Sequence, residues 1–343
     1  MRGNSIGLDI GFSKIKAVSL SRQNNSYALN GFSIIPSPVN GIFSDDVSGE
    51  KEMAKAIKKA VGNLKVSSKD VNVAIPDSRV YIKIIEMPVL SDKELSLAIY
   101  WEAERHIPVA LSTITLVWNV LKRPKDVSGD EKMQVLMVGA PTKIIDKYRR
   151  VLKMANLNLD AIETEILAII RALVTPNFPP SLILNIGAIN TSLAIIRNGV
   201  LALTYSMPVG GDAVSRSIEQ DFGLTMVQSE EYKKTYGFLK EGVAGEKIGK
   251  SAEPILNSIL VEVRKVLAFY AQKYKDESSL AQILLSGGTA HLPGINKFFV
   301  ENLGIETLVV NPWKIFGNKP LPTELSNSSS DFTVALGLAM RNL

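Results

Sequence analysis

The chain contains no cysteine and only two histidines, His106 and His291. Disulfides, thiol nucleophiles, thiolate zinc sites and histidine-rich metal clusters are thereby excluded, and any metal must be held by oxygen, which points to magnesium or calcium. The lack of disulfides fits a reducing compartment. Long apolar runs are also missing: stretches such as AIIRALV, around Arg171, are broken by polar residues well short of the ~20 apolar residues a membrane span needs. No signal peptide is legible, because Asp9 falls inside the first apolar segment and no cleavage-like ending follows. A large excess of one charge sign is also missing, the net charge being +5. The basic clusters KKAVGNLK, KYRRVLK and YKKTYGFLK are scattered over separate amphipathic segments, which reads as solvated helix faces with only weak attraction to an anionic membrane. These absences describe a soluble, cytoplasmic protein with no nucleic-acid partner.

What is present is length and periodicity. With 343 residues and 46% hydrophobic content, the chain supports two or more cores, since single cores stop growing near ~250 to 300 residues. Residues 5 to 35 read as consecutive strands, IGLDI, KIKAVSL and YALNGFSII, followed by a helix at about 50 to 63 and the strand DVNVAI. A block of different rhythm follows at about 80 to 160, a βαββα unit that reads as an inserted subdomain. Its first helix, SDKELSLAIYWEAERHI, opens on a cap at Ser91-x-x-Glu94 and is apolar nearly all round, which predicts packing on both sides; a partner surface containing Trp101 is the sharper alternative. After a helix at about 163 to 173, LILNIGAINTSLAII repeats the opening theme half a chain later, predicting two similar lobes that each begin with a glycine-turned hairpin. Helices at about 211 to 222, 228 to 239 and 253 to 274 follow. Strand QILLSGG, helix AHLPGINKFFVENL, strand TLVVN and helix FTVALGLAMRN end the chain.

Glycine at such turns permits positive φ and lets backbone approach a ligand without a Cβ in the way. Successive turn amides can then form an anion nest, and two such hairpins facing each other would hold a polyphosphate. The first turn, around Gly11, adds Asp9, an acid suited to magnesium or its water shell, with Ser13 and Lys16 as donors. The second, around Gly187, adds Asn190 and Thr191. A third glycine element, LLSGGTA with Gly287, Gly288 and Thr289, lies between a strand and a helix, where backbone can pack against a base or ribose. Each element alone reads as ordinary turn chemistry; the ordered set of three is far more specific.

With these motifs the chain resembles the actin/Hsp70/sugar-kinase superfamily, whose phosphate-1, phosphate-2 and adenosine motifs look like GLDIGFSKIK, LNIGAINTS and LSGGTAHLPG. Within it the sequence is most similar to the FtsA/PilM branch, over essentially its whole length, through ELSLAIYWEAERHIP, the E-x-x-K of Glu230 and Lys233, EVRKVLAFY and the closing ALGLAMR. The resemblance implies an α/β, two-lobed actin-like (ribonuclease H-like) ATPase fold with an FtsA-type 1C subdomain. The implied layout is 1–80 as the first part of subdomain 1A, 81–160 as 1C, 161–180 as 1A continued, 181–320 as the second lobe with 2B at about 210–275, and 321–343 as a helix returning to the first lobe. It implies ATP and Mg2+ as cofactors, with Asp9, Gly11, Ser13 and Lys16 facing phosphate and magnesium. Gly187 and Thr191 would face phosphate from the other lobe, Glu230 and Lys233 the ribose or adenine, and Gly287, Gly288 and Thr289 the underside of the nucleoside. As blander alternatives, Glu230 and Lys233 are surface helix charges and the glycines a helix start.

The branch further implies a scaffold of the type IV pilus assembly platform, peripheral at the inner face of the cytoplasmic membrane, holding the short N-terminal peptide of a PilN-like membrane protein. Other pilus platform or motor proteins, and copies of the chain itself, are further expected partners, and membrane contact is expected through a partner. An FtsA-like scaffold would carry an amphipathic tail and a GspL-like one a membrane anchor; neither is legible, ALGLAMR being followed only by Asn342 and Leu343. A small-molecule kinase of the same fold needs an additional acid on the substrate hydroxyl, for which no motif is found. Two departures bear on chemistry. Phe12 stands where the first loop commonly has a small residue, and either narrows the phosphate cradle or turns into the core. Asn185 replaces the usual acid of the second motif, so nucleotide binding is expected ahead of efficient hydrolysis. Glu163 and Glu165 are the nearest acids for positioning a water, or else helix-capping surface acids. His106, His291 and the acids Asp45 and Asp46 read as structural.

Overall fold

The computed structural model describes residues 4–343 except 24–25, 40, 45, 126–130, 240–241, 276–278, 318–320 and 327–328. β1 (Ser5–Ile10), β2 (Lys14–Gln23) and β3 (Ser26–Pro36) form an antiparallel meander. α1 (Val47–Gly62) follows, capped by the Asp46 carboxylate, which accepts from the Gly49 amide at 2.6 Å; Asp45 lies outside the described residues. β4 (Asp70–Ile75) returns parallel to β1. Next come β5 (Tyr81–Met87), α2 (Asp92–His106), β6 (Ile114–Lys122), β7 (Met133–Pro141) and α3 (Thr142–Met154). β8 (Asn158–Thr164) pairs parallel with β4 and runs directly into α4 (Glu165–Leu173). The second half repeats the scheme with β9 (Ser181–Ile186), β10 (Thr191–Arg197), β11 (Val200–Met207), α5 (Gly211–Phe222), α6 (Met226–Tyr236) and α7 (Gly242–Lys273). β12 (Gln282–Ser286), α8 (Ile295–Leu303), β13 (Thr307–Val309), the single turn α9 (Thr323–Ser326) and α10 (Thr333–Ala339) complete it.

Two five-stranded sheets result, ordered β3-β2-β1-β4-β8 and β11-β10-β9-β12-β13, each with an antiparallel hairpin pair continued by parallel strands. The two lobes therefore share one topology, as the repeated hairpin predicts. They stack in layers. α1 and α3 bury Met53, Ile57, Tyr148 and Val151 on the outer face of the first sheet. α4 and α10 lie between the sheets, where Ile166, Ile169 and Leu338 meet Ile183, Ala194 and Ile196 of the second lobe. α5, α7 and α8 cover the outer face of the second sheet through Val214, Ile218, Leu256, Ile259 and Phe299. This burial of whole apolar faces is the dominant stabilising term for such a fold.

A third sheet, β5-β7-β6, carries α2 on one face and turns Ile82, Ile84 and Leu136 of the other toward the second lobe. α2 opens on the expected capping box of Ser91 and Glu94. It does not pack on both sides: Leu95, Ile99 and Ala103 are buried, whereas Leu97, Tyr100 and Trp101 are exposed, Trp101 at 72%. Large apolar residues on its exposed side, Leu97, Tyr100 and Trp101, account for the misleading composition.

Other departures from the sequence reading have local causes. β8, NLDAIET, carries two acids on a half-buried edge and lacks a clear apolar alternation. α7 starts well before 253 and passes through Pro254, because Ile248, Ala252, Leu256 and Ile259 keep one buried stripe in helical register. The expected helix AHLPGINKFFVENL is split, since Pro293 and left-handed Gly294 delay α8 to Ile295.

Candidate functional site

The three glycine turns meet in one cleft between the lobes, open to solvent. In the first turn the hairpin register sets Asp9 opposite Lys16, and their side chains join in an ion pair of 2.9 Å, nearly buried. Burial pushes the Lys16 ammonium down, but Asp9, Asp331 and Glu165 outweigh it, so its pKa is raised and it stays charged. Gly11 has no positive φ; its need for glycine is space, because a Cβ would lie 2.7 Å from the Lys14 carbonyl oxygen. Phe12 does not turn into the core: it is 39% exposed and lines the cleft mouth against Gly41.

The second turn is closed by the Gly187 amide donating to the Asn190 carbonyl at 2.9 Å. The first amides of α5 dock on it, Gly211 donating to the Gly187 carbonyl and Asp212 to that of Ala188. Gly187 and Asn190 line the cleft. Thr191 does not: it is fully buried and its hydroxyl donates to the Val209 carbonyl at 2.7 Å, which makes it a strut behind the turn. In the third element, left-handed Gly287 at φ 86° presses on the carboxamide of Asn185, where a Cβ would lie 2.9 Å from its Oδ1. Here the positive φ does require glycine.

Glu230 and Lys233 are not surface charges. Lys233 is buried, bonds to the Gly211 carbonyl at 3.0 Å and the Ser215 hydroxyl at 2.8 Å, and pairs with Glu230. Desolvation lowers its pKa despite Glu230, while Lys233, Ser215 and Lys234 together overcome desolvation to lower that of Glu230. Both line the cleft with Asp9, Gly11, Ser13, Lys16, Gly287, Gly288 and Thr289.

Lys14, Glu165 and Asp331 enlarge this set. Lys14 shares a strand face with Lys16, two residues on, and pairs with buried Asp331 at 2.9 Å. Its position was readable once β2 was recognised. Asp331 was not, since a turn just before α10 holds it. Beside it His291 exchanges a 2.8 Å hydrogen bond with the Ser330 hydroxyl, and desolvation, aided by Lys14 and opposed by Asp331, lowers the imidazole pKa. Neither interlobe glutamate is a surface acid. Glu163 is locked by Arg171 and Arg341 away from the cleft. Glu165 is half-buried and lines the cleft.

Burial, then the neighbouring Asp77 and Asp9, push the Glu165 carboxyl up to about 8; burial likewise raises Asp77, whose Oδ1 accepts from the Ile166 amide at 3.3 Å. An unfolded Glu165 ionises near 4.5. Between these values the folded protein therefore binds more protons than the unfolded chain, and stability falls as pH rises through the window. Glu165→Gln is expected to flatten that fall and to raise the unfolding free energy at pH 8 by on the order of 2 kcal/mol. Urea titrations across the window check this; superimposable profiles for variant and wild type would show that the carboxyl is already ionised in the fold.

A second opening, a groove, runs between the edge strands β5 and β11. Ile82, Ile84, Leu203, Val266 and Phe269 give it an apolar lining, and an ion pair between Lys273 and Glu86 at 2.8 Å bridges its walls.

Two lobes of repeated topology, closed on a cleft of three glycine turns with an inserted three-stranded unit, define an actin-like fold. The chain belongs to the family described as type IV pilus assembly protein PilM, whose model it matches over residues 7–343. It is similar to the solved PilM-PilN type IV pilus biogenesis complex, with a TM-score of 0.87 and 27% identity over 99% of each chain. The cell division protein FtsA of Streptococcus pneumoniae is 24% identical over 345 residues, covering 89% of this chain and 75% of that one. MreB5 of Spiroplasma citri bound to ADP shares the fold at a TM-score of 0.58 and 16% identity, over 97% and 94% of the two chains. Among the described residues no helix is long and apolar enough to cross a membrane.

Proposed function

We propose that the chain is an ATP-binding, actin-like scaffold of the type IV pilus platform that holds the N-terminal peptide of a PilN-like membrane protein. The observation that carries the nucleotide reading is the convergence of the three turns on one cleft, with charged Lys16 and buried Asp9 at its phosphate end. Asp9 with Gly11, Ser13 and Lys16 would hold the phosphates and magnesium, Gly187 and Asn190 would close on them, and Glu230, Lys233, Gly287, Gly288 and Thr289 would bound the nucleoside. Among the described residues no group of three metal-ligating side chains exists. That suits magnesium brought by ATP, which needs one or two carboxylates besides phosphate and water.

The similarity to the PilM-PilN complex supports the peptide partner. The groove between β5 and β11 suits it, because an extended peptide can align with exposed strand edges while its apolar side chains fill the floor. Being bounded by both lobes' elements, the groove would change shape with the angle between them, so nucleotide and peptide would bias each other's binding. Calorimetric titration with magnesium-ATP, with a no-magnesium control and an Asp9→Ala variant, tests the cleft. Saturable, magnesium-dependent binding by wild type and its loss in the variant are expected; a folded wild type that takes no ATP overturns the nucleotide reading. Peptide titrations with and without ATP then test the coupling.

A further inference from the structure

The fold gathers two of the scattered basic clusters onto one surface. α1 and α3 lie side by side on the outer face of the first sheet, joined by an Arg150–Glu50 ion pair of 2.8 Å. Opposite the buried stripe of α1, Lys51, Lys55, Lys58 and Lys59 are all exposed. Lys143 and Lys153 stand exposed on α3, beside Arg149 and Arg150. Among the described residues none of these six lysines makes an ion pair. The acids within the two helices are few: Glu50 and Asp146 are taken up by Arg150 and Arg149, leaving Glu52; Asp46 caps the start of α1.

We propose that the α1–α3 face is a docking surface for the anionic headgroups of a membrane. The charge is carried mainly by lysine, a compact and strongly hydrated point charge that suits a mobile headgroup layer better than the bidentate readout arginine gives. Two helices side by side on a sheet offer a flat face, whereas entry into a duplex groove needs a projecting element. No exposed aromatic lies on either helix to stack on a base, and the exposed apolar residues at their ends, Val47 and Met154, are aliphatic. The face lies on the far side of the first sheet from α4 and α10. It is thus independent of the cleft and the groove, and would orient the scaffold directly on the bilayer.

Sedimentation of the full chain with vesicles tests this, using phosphatidylcholine alone or mixed with phosphatidylglycerol at physiological ionic strength. Binding to the mixed vesicles only, weakened by added salt, is expected. Lys55→Glu combined with Lys59→Glu and Lys153→Glu should weaken that partition on the order of a hundredfold, with the thermal midpoint and magnesium-ATP titration unchanged. Lys247→Glu with Lys250→Glu and Lys297→Glu makes the same change in net charge on exposed positions of the second lobe and should leave partition within about twofold of wild type. No dependence on the anionic lipid, an equal loss in the second triple, or tighter binding to duplex DNA that the first triple abolishes would each overturn the proposal.

Discussion

Gly337→Ala is expected to destabilise the protein by about 3 kcal/mol or more, the upper end of what overpacking a core costs. Gly337 lies in α10 where that helix crosses α4, and an added Cβ would sit 1.8 Å from the Ala168 carbonyl oxygen and 2.5 Å from its carbon. The obstacle is backbone, so no rotamer change relieves it; the helices must separate. Separation would also pull the Gly337 carbonyl from Arg171, which donates to it at 2.9 Å, and loosen the ion pairs that Arg171 shares with Glu163. Gly62, the exposed last residue of α1, is the control. Nothing lies within 4 Å of the Cβ it would gain, so Gly62→Ala should be neutral or stabilising by up to ~1 kcal/mol. Denaturant midpoints measured side by side distinguish the two. A Gly337→Ala variant as stable as Gly62→Ala would mean that the α4–α10 crossing is looser than described.

Lys16→Met is expected to remove detectable magnesium-ATP binding, a loss of about a hundredfold or more, and to weaken the fold itself. The ammonium supplies a charge-assisted contact to phosphate, and its removal leaves the Asp9 carboxylate buried without its partner, a change that typically costs ~3–5 kcal/mol. The two effects separate in a double variant. Asp9→Asn with Lys16→Met removes both charges and should recover most of the lost stability, because no unpaired charge is left. Nucleotide binding should not return. Recovery of ATP affinity in the double variant would show that Lys16 serves the hairpin rather than the phosphates.

The sequence revealed the parts of the fold that are local or repeated. Asp9-Ile10-Gly11 and Asn185-Ile186-Gly187 mark equivalent hairpins because alternation and a glycine turn are short-range signals. The capping box of α2 was legible for the same reason. Distance along the chain hid the rest. Asp331 reaches Lys14 only because α10 returns to the first lobe, and the burial of Glu165 depends on α4 being enclosed between two sheets. Thr191 was misjudged from a correct element: the alternation of β10 turns its hydroxyl behind the turn toward Val209. Trp101 shows the converse failure, since composition suggests a two-sided helix but cannot say that one side has no neighbour.

The return of α10 also orders events on the ribosome. Ala335, Leu336 and Ala339 complete the core that contains Val18 and Leu20, and Gly7 of β1 leaves room for α10 backbone. The N-terminal lobe is therefore begun first but completed late, with part of one face of its sheet bare until α10 emerges. The second sheet, by contrast, draws all its strands from the contiguous stretch between Ser181 and Val309 and can close earlier. Pairing elements from opposite ends of a chain is slow and leaves apolar surface open to association meanwhile, so in a growing polypeptide the early lobe is the one a chaperone would have to shield.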